Sequence, residues 1–375
     1  VRRLRLAIDA SRATLARRTG TENYALQLIR ALIALRPPHD LTLYFRDAPP
    51  PGLFPESESV VYRVIPARRV WTHTRFAWEI ARSRPDVTFV PAHTLPFVFP
   101  GPAVVTVHDL GYRFFPEAHP PKERLYLDLT TRYSAHRATM ILADSAATRQ
   151  DLIGQYGVPS DKIRVVYPGV EGLTRADEGQ IAAVRAKYGL PDRYLLFLGT
   201  LQPRKNIRRL AEAFATYVAE SGDPDLGLVL AGKAGWLLDV GRDILPQLPE
   251  SARRRVFTPG YIADPDVAAL YSGAIGLTFP SLYEGFGFPV LEAMRCGTPV
   301  LCAETSSLPE LAGSAALQVD PASVAAIAAG IGALVGLTPQ ARAERVAAGY
   351  AQAARFTWEG AARDCLSALE AAARP

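Results

Sequence analysis

Two carboxylates, Glu284 and Glu292, stand with seven residues between them around a glycine-bearing loop, in the stretch FPSLYEGFGFPVLEAMRCG from Phe279 to Gly297. An apolar run, Ile275 to Phe279, leads into them. Pro280 and Ser281 break that run, Gly285 and Gly287 open a loop, and Pro289 suits the first position of a helix that Gly297 can end. The reading is strand, tight loop, helix, with Glu292 expected in the first helical turn. Such a loop brings the backbone N–H groups of Gly285, Phe286, Gly287 and Phe288 up to an anion at the positive end of a helix. Two acids beside it can hold the hydroxyls of a sugar or ribose. A plainer reading stays open here, with Glu284 a solvated loop acid and Glu292 a complement to the helix dipole. GFGFPV is not a dinucleotide fingerprint, because Val290 fills the third glycine position.

Further residues with chemical capacity lie at predicted strand ends. GTLQPRKN follows the strand Tyr194–Leu198 and opens a helix expected from about Asn206 to Ala219, so Arg204 and Lys205 fall at a helix N-terminus. That is the wrong end for cations, unless an anion sits between them and the helix. His108 and Asp109 end the apolar strand Val104–Val107, where ligands collect in open α/β sheets; a capping Asp and a partly buried His is the simpler alternative. His93, in VPAHTLP, is a weaker candidate on the acceptor side. Lys233 and Tyr261 follow the strands Leu226–Ala231 and Val256–Thr258. Asp264-Pro265-Asp266 imitates a metal-binding DxD but reads as an N-cap followed by a first-turn proline. No cluster has metal-ligand spacing.

The elements that must position these groups alternate strand and helix. Leu4–Asp9 is a strand, followed by a basic loop from Ala10 to Gly20 with Arg12, Arg17 and Arg18; Thr21 is expected to cap the next helix, whose apolar stripe is Ala25, Leu28, Leu32 and Leu35. Leu41–Phe45, Val60–Ile65, Val87–Val90, Ile141–Ala143 and Ile163–Val166 read as further strands, and Pro121–Met140 as a long helix. Trp71–Arg82 is a helix rich in aromatic and basic residues, a face that packs inward or rests on a membrane surface. Pro168-Gly169 breaks the chain, and the alternation then repeats with the strands Pro299–Cys302 and Ala316–Val319. The Ala-rich helix Val324–Val335, a Thr338-Pro339 start and an amphipathic terminal helix follow. The boundaries expected are 1–170, 171–355 and a helix within 356–375 that needs a partner.

Composition narrows the function classes. The chain has 375 residues with 49% hydrophobic content, enough for two cores, and 42 basic against 37 acidic residues, a net +5 too small for a nucleic-acid binder. Cys296, Cys302 and Cys365 form no CxxC and suggest a reducing compartment. The start, VRRLRLAIDA, lacks a signal-peptide core, and no apolar run reaches the about 18 residues that span a bilayer. A cytoplasmic protein is expected, with peripheral contact at the inner membrane surface left open.

The wording PSLYEGFGFPVLEAMRCGTPV resembles the signature of retaining glycosyltransferases of family 4, and ADSAATRQDL, VPSDKIRVVYPGV and SSLPELAG extend the resemblance over most of the chain. It implies the GT-B fold: two Rossmann-like, doubly wound parallel-sheet domains facing a cleft. It implies that Glu284 and Glu292 are the Glu-x7-Glu pair of the sugar-nucleotide site, and that Arg204 and Lys205 bind the diphosphate. His108 would lie near the sugar, with Lys233 and Tyr261 near the base. Gly20 stands in a glycine loop close to donor phosphate and acceptor, with Thr19-Gly20 replacing the usual double glycine. The resemblance implies a nucleotide-sugar donor, no metal cofactor, and retention by same-face attack assisted by the leaving phosphate. GTLQPRKN and VVTVHDL are most similar to mannosyltransferases of polysaccharide or O-antigen synthesis, which implies GDP-mannose; UDP-glucose is the alternative donor. A glycan or lipid-linked saccharide is the expected acceptor. A sugar-nucleotide epimerase and a non-catalytic nucleotide-sugar binder of the same fold are the rival readings.

Overall fold

The computed structural model describes residues 2–14, 20–55, 57–118, 120–235 and 237–374. Arg17, Arg18 and Thr19 of the basic loop lie outside the described residues. The chain divides into two compact units, one formed by Val1–Gly169 with Phe356–Pro375, the other by Val170–Arg355.

The first unit holds a seven-stranded sheet of β1 (Arg5–Asp9), β2 (Asp40–Phe45), β3 (Val60–Val64), β4 (Val87–Val90), β5 (Ala103–Val107), β6 (Met140–Ala143) and β7 (Ile163–Val165), in the order β3-β2-β1-β4-β5-β6-β7. Every pairing is parallel. β4 and β5 are buried along their whole length, which explains why they read as continuous apolar runs rather than alternating ones. The terminal helix Trp358–Ala372 buries the stripe Trp358, Ala362, Cys365 and Leu369 against the helix Gly20–Ala34. His39 Nε2 lies 3.0 Å from Glu370 Oε1, and Arg164 donates to Ser367 at 3.0 Å. The partner this helix needs is therefore within the first unit.

The second unit holds a six-stranded parallel sheet of β8 (Arg193–Leu198), β9 (Leu226–Ala231), β10 (Val256–Gly260), β11 (Gly276–Phe279), β12 (Val300–Ala303) and β13 (Leu317–Val319), in the order β10-β9-β8-β11-β12-β13. Both units are thus Rossmann-like parallel-sheet domains, the architecture the resemblance implies. Each has one place where the strand order reverses, between β1 and β4 and between β8 and β11. Crevices at such points, outside the carboxyl ends of the strands, are where ligands bind.

Several local expectations differ from the structure. The first helix begins at Gly20, so Thr21 sits inside its first turn rather than capping it. The long helix ends at Arg137, where extended Ala138 turns the chain into β6, so Met140 belongs to the strand. The Trp71–Arg82 helix opens with a π-turn, Thr72–Phe76, before the α-helix Ala77–Ser83. Its aromatics divide: Trp71 and Phe76 stack in the core at 5.0 Å, while Trp78 is exposed.

Candidate active site

At the β8/β11 switch point, the chain after β8 forms a single 3-10 turn, Pro203–Lys205, and the helix starts only at Ile207. Asn206 joins the two in the left-handed region (φ 62), a conformation Asn tolerates better than most residues. Its buried side-chain amide donates to Pro280 O at 3.0 Å and to Pro321 O at 2.7 Å. Leu282 N–H donates to Arg204 O at 2.9 Å. The turn after β8 is thereby clamped to the loop after β11.

That clamp brings three predicted residues together. Lys205 Nζ lies 2.5 Å from Glu284 Oε1, and Arg204 Nη1 lies 3.2 Å from Glu284 Oε2 and 2.6 Å from Tyr283 O. Lys205 is only 8% exposed and Glu284 6%. The ammonium also stands 5.1 Å above the Phe279 ring. Burial alone would push the Glu284 carboxyl up; the Lys205 ammonium and Arg204 guanidinium outweigh it and hold it below its ordinary value. Glu284 is therefore not a solvated loop acid. The anion facing the two cations in this structure is its carboxylate, and the cations precede the 207–221 helix rather than standing in its first turn.

The loop beyond Glu284 is held by hydroxyls. Ser306 accepts from Glu284 N–H at 3.0 Å, and Ser307 donates to Glu284 O at 3.0 Å and also to Phe286 O. Phe286 and Phe288 meet edge to face at 4.9 Å. Gly287 caps the helix Phe288–Arg295 with φ 116, and a Cβ there would stand 2.7 Å from Leu308 Cδ2. The position needs glycine on both counts. The helix starts at Phe288, so Pro289 is its second residue and Glu292 falls past the first turn. Gly297 lies one residue beyond the C-cap, Cys296. Glu292 accepts a hydrogen bond from Tyr271 at 2.8 Å; burial pushes its carboxyl up, against that hydrogen bond.

Gly232 (φ 132) follows β9, and a Cβ there would fall 1.9 Å from Gly199 O. Only glycine permits the β9 turn to lie on the β8 turn, and Leu201 N–H then donates to Lys233 O at 2.9 Å. Lys233 Nζ stands 5.4 Å from the centroid of the exposed Tyr261 ring, so these two predicted contacts come together. Asp264 is not an N-cap: it starts a 3-10 turn and accepts from the Tyr261 hydroxyl at 3.0 Å. Among the described residues, no three His, Cys, Asp or Glu side chains gather in a way that could hold a metal ion.

In the first unit, His108 is buried at the end of β5. Its Nδ1 lies 2.6 Å from Asp144 Oδ2 and its Nε2 3.4 Å from Pro91 O. The Tyr24 ring meets it edge-on at 4.8 Å. Burial would lower the His108 pKa, but Asp144 overrides that and raises it. His93 Nε2 accepts from His108 N–H at 3.2 Å, which makes that nitrogen the bare one of a neutral ring; burial and the neighbouring His108 push His93 down to about 3. Gly20 is the first residue of its helix, and Arg12 Nη1 lies 3.3 Å from Glu22 Oε1 in the same region.

Asp144, Asn206, Tyr271, Ser306 and Ser307 were not singled out from the sequence. Asp144 is brought to His108 by strand pairing: β5 and β6 pair with Val107 opposite Ala143, so each strand's next residue, His108 and Asp144, emerges side by side.

Residues 192–336 match the family described as "Glycosyl transferases group 1", and residues 18–171 match "Glycosyltransferase Family 4". The chain is 32% identical to O-antigen chain mannosyltransferase B of Escherichia coli, over 94% of this chain and 96% of that one. Two parallel Rossmann-like sheets, the Glu-x7-Glu stretch and these matches make this chain a glycosyltransferase of family 4 with the GT-B fold. Its fold resembles that of sucrose-phosphate synthase from Thermosynechococcus elongatus (TM-score 0.73, 21% identity, covering 97% of this chain and 98% of that one). It also resembles that of HepE from Anabaena, solved with UDP-glucose (TM-score 0.72, 18% identity, covering 98% of this chain and 100% of that one).

Proposed function

We propose that this glycosyltransferase moves a hexose, mannose from GDP-mannose, to a glycan or lipid-linked acceptor, with retention and without a metal. The observation that carries the reading is the Lys205–Glu284–Arg204 cluster at the β8/β11 switch point. A departing nucleotide diphosphate gains negative charge as the glycosidic bond breaks, and fixed cations at that place lower the barrier. The buried Lys205 ammonium and Arg204 guanidinium are already oriented by Glu284, so little reorganisation is left to the reaction. Incoming phosphate oxygens share the two cations with Glu284, whose remaining lone pairs accept sugar hydroxyls. Glu292, steadied by Tyr271, holds the ribose, with Lys233 and Tyr261 beside the base. His108, oriented through Nδ1 by Asp144, hydrogen-bonds the sugar, and attack from the leaving-group side gives retention.

The full-length likeness to an O-antigen mannosyltransferase supports mannose over glucose. Calorimetry with GDP, UDP and ADP, without metal, on wild type and Lys205→Ala, tests the donor site. Binding of GDP alone, abolished in the variant, is expected. Turnover of UDP-glucose with none of GDP-mannose would overturn the donor assignment. Activity lost in EDTA and restored by Mn²⁺ or Mg²⁺ would overturn the metal-free chemistry.

A further inference from the structure

Each parallel sheet ends in two edge strands, and the outer backbone groups of an edge strand are a template for pairing with another chain. Three of the four edges carry a device against such pairing. β7 and β13 are only three residues long. β10 contains Pro259 and shifts register between Phe257 and Gly260. β3 has no such device. It runs in unbroken register beside β2 for five residues, Val60 to Val64, without proline or lysine. It is also apolar where it meets solvent: Val61 is 51%, Tyr62 42% and Val64 45% exposed.

The orientation of the β3 backbone follows from its pairing with β2. Leu41 N–H donates to Ser59 O at 2.8 Å before one end, and Ile65 N–H donates to Phe45 O at 2.9 Å beyond the other. In a parallel ladder alternate residues of a strand serve the same neighbour. The amides and carbonyls of Val61 and Arg63 therefore point to β2, and those of Val60, Tyr62 and Val64 point away from it. The Val60 N–H turns back to Ser57 O at 3.2 Å, while the Val60 carbonyl and the Val64 N–H are directed outward. Tyr62 lies between them, its ring edge-on to Phe45 and Phe54 at 5.6 and 6.3 Å.

Charge around the strand selects its occupant. Glu56 and Glu58 precede β3, and Arg68 and Arg69 follow it. A second copy running antiparallel lays its basic end along the acidic end of the first, whereas a parallel copy would set like charges together. A two-fold axis at Tyr62 puts Val60 of each copy opposite Val64 of the other, so the Val64 N–H meets the Val60 carbonyl twice. The same axis sets Arg63 opposite Val61 rather than opposite its own counterpart. It also lines up Val60, Tyr62 and Val64 of both copies on one face as apolar cross-strand pairs. We propose that the chain forms a two-fold dimer in which β3 pairs antiparallel with β3 of a second copy, joining the two seven-stranded sheets edge to edge.

Sedimentation velocity of the full chain over a concentration series tests this. Wild type should show a monomer–dimer equilibrium that weakens with salt. Val64→Pro removes an outward N–H that the β2 ladder does not use. Each dimer then loses two hydrogen bonds, and the dissociation constant should rise at least about tenfold with an unchanged circular dichroism spectrum. The charge variants E56R/E58R and R68E/R69E lie outside the paired residues and carry the test if Val64→Pro does not fold. Each alone should dimerise more weakly than wild type, and an equimolar mixture should recover dimer, because acid then faces base at both ends. A monomeric wild type would leave this edge to a strand of some other protein and overturn the proposal. A dimer that none of the variants weakens, or charge variants that gain nothing on mixing, would overturn it as well. The assay uses neither donor nor acceptor, so its outcome is independent of the transfer reaction.

Discussion

Replacing Lys205 by Met removes the ammonium and keeps most of its unbranched stem over Phe279. Glu284 then stays buried with Arg204, at 3.2 Å, as its remaining cation in the cluster. A hydrogen bond to a charged group contributes about 1.5–3 kcal/mol, and stripping a buried pair of one partner costs about 3–5 kcal/mol. Because Arg204 remains, we expect a loss of about 2–3 kcal/mol at pH 7. The pH dependence identifies the cause. In wild type the Glu284 carboxyl is held below its ordinary value, so its contribution is present above the unfolded carboxylate range and is lost as pH falls through the folded value. In Lys205→Met, burial is opposed by one cation instead of two, the carboxyl titrates higher, and protonation relieves the strain. The stability gap between the proteins should therefore shrink as pH is lowered from 7 towards 4. Urea melts across that range measure it. A gap that stays constant, or is absent at pH 7, would refute the pairing. Transfer should fall at least about 100-fold. A variant with the stability gap but undiminished transfer would show that Lys205 only supports Glu284.

Asn206→Ala should cost about 2–4 kcal/mol, from a left-handed backbone without Asn and two buried carbonyls left unpaired, while Asn206→Gly should recover the backbone share; thermal melts separate the two. Gly287→Ala should destabilise by about 1–3 kcal/mol, because φ 116 is unsuited to a side chain and its Cβ would press on Leu308. The same change should weaken donor binding by calorimetry. Asp144→Asn should act through His108. The raised His108 pKa contributes stability that is full below about pH 6.5 and is lost as pH rises through the folded value. The variant's deficit should thus be larger at pH 6 than at pH 9, and a deficit equal at both would show that Asp144 does not hold the imidazolium.

The strands and both site loops were legible because their causes are local. Val87–Val90 and Leu226–Ala231 are largely apolar runs, ended by Pro91 and Gly232, and the structure places strands on those residues. Ser145 and Thr338 cap helices as their types suggest, each accepting from a backbone N–H at 3.0 and 3.2 Å. Where an element's end depends on residues distant in sequence, local residue type does not place it. Asp264 looked like a cap, yet its carboxylate is taken by Tyr261, a partner at the end of β10.

The site shows the same division. Arg204, Lys205 and Glu284 were each visible from their loops, but their mutual pairing required the strand order that puts β8 beside β11 across about 80 residues of chain. Asp144 sharpens the point. Once β5 and β6 are recognised as adjacent parallel strands, equal register makes the residue after each a neighbour, and a His beside an Asp at paired strand ends becomes a derivable hydrogen bond. Parallel pairing thus converts two separate sequence positions into one chemical unit. The same logic applies to the β8 and β9 turns, where Gly232 lies on the Gly199 carbonyl because position 232 lacks a side chain. What a single chain hides is the choice of neighbour, and that choice is made by burial of whole strands rather than by the residues that later do the chemistry.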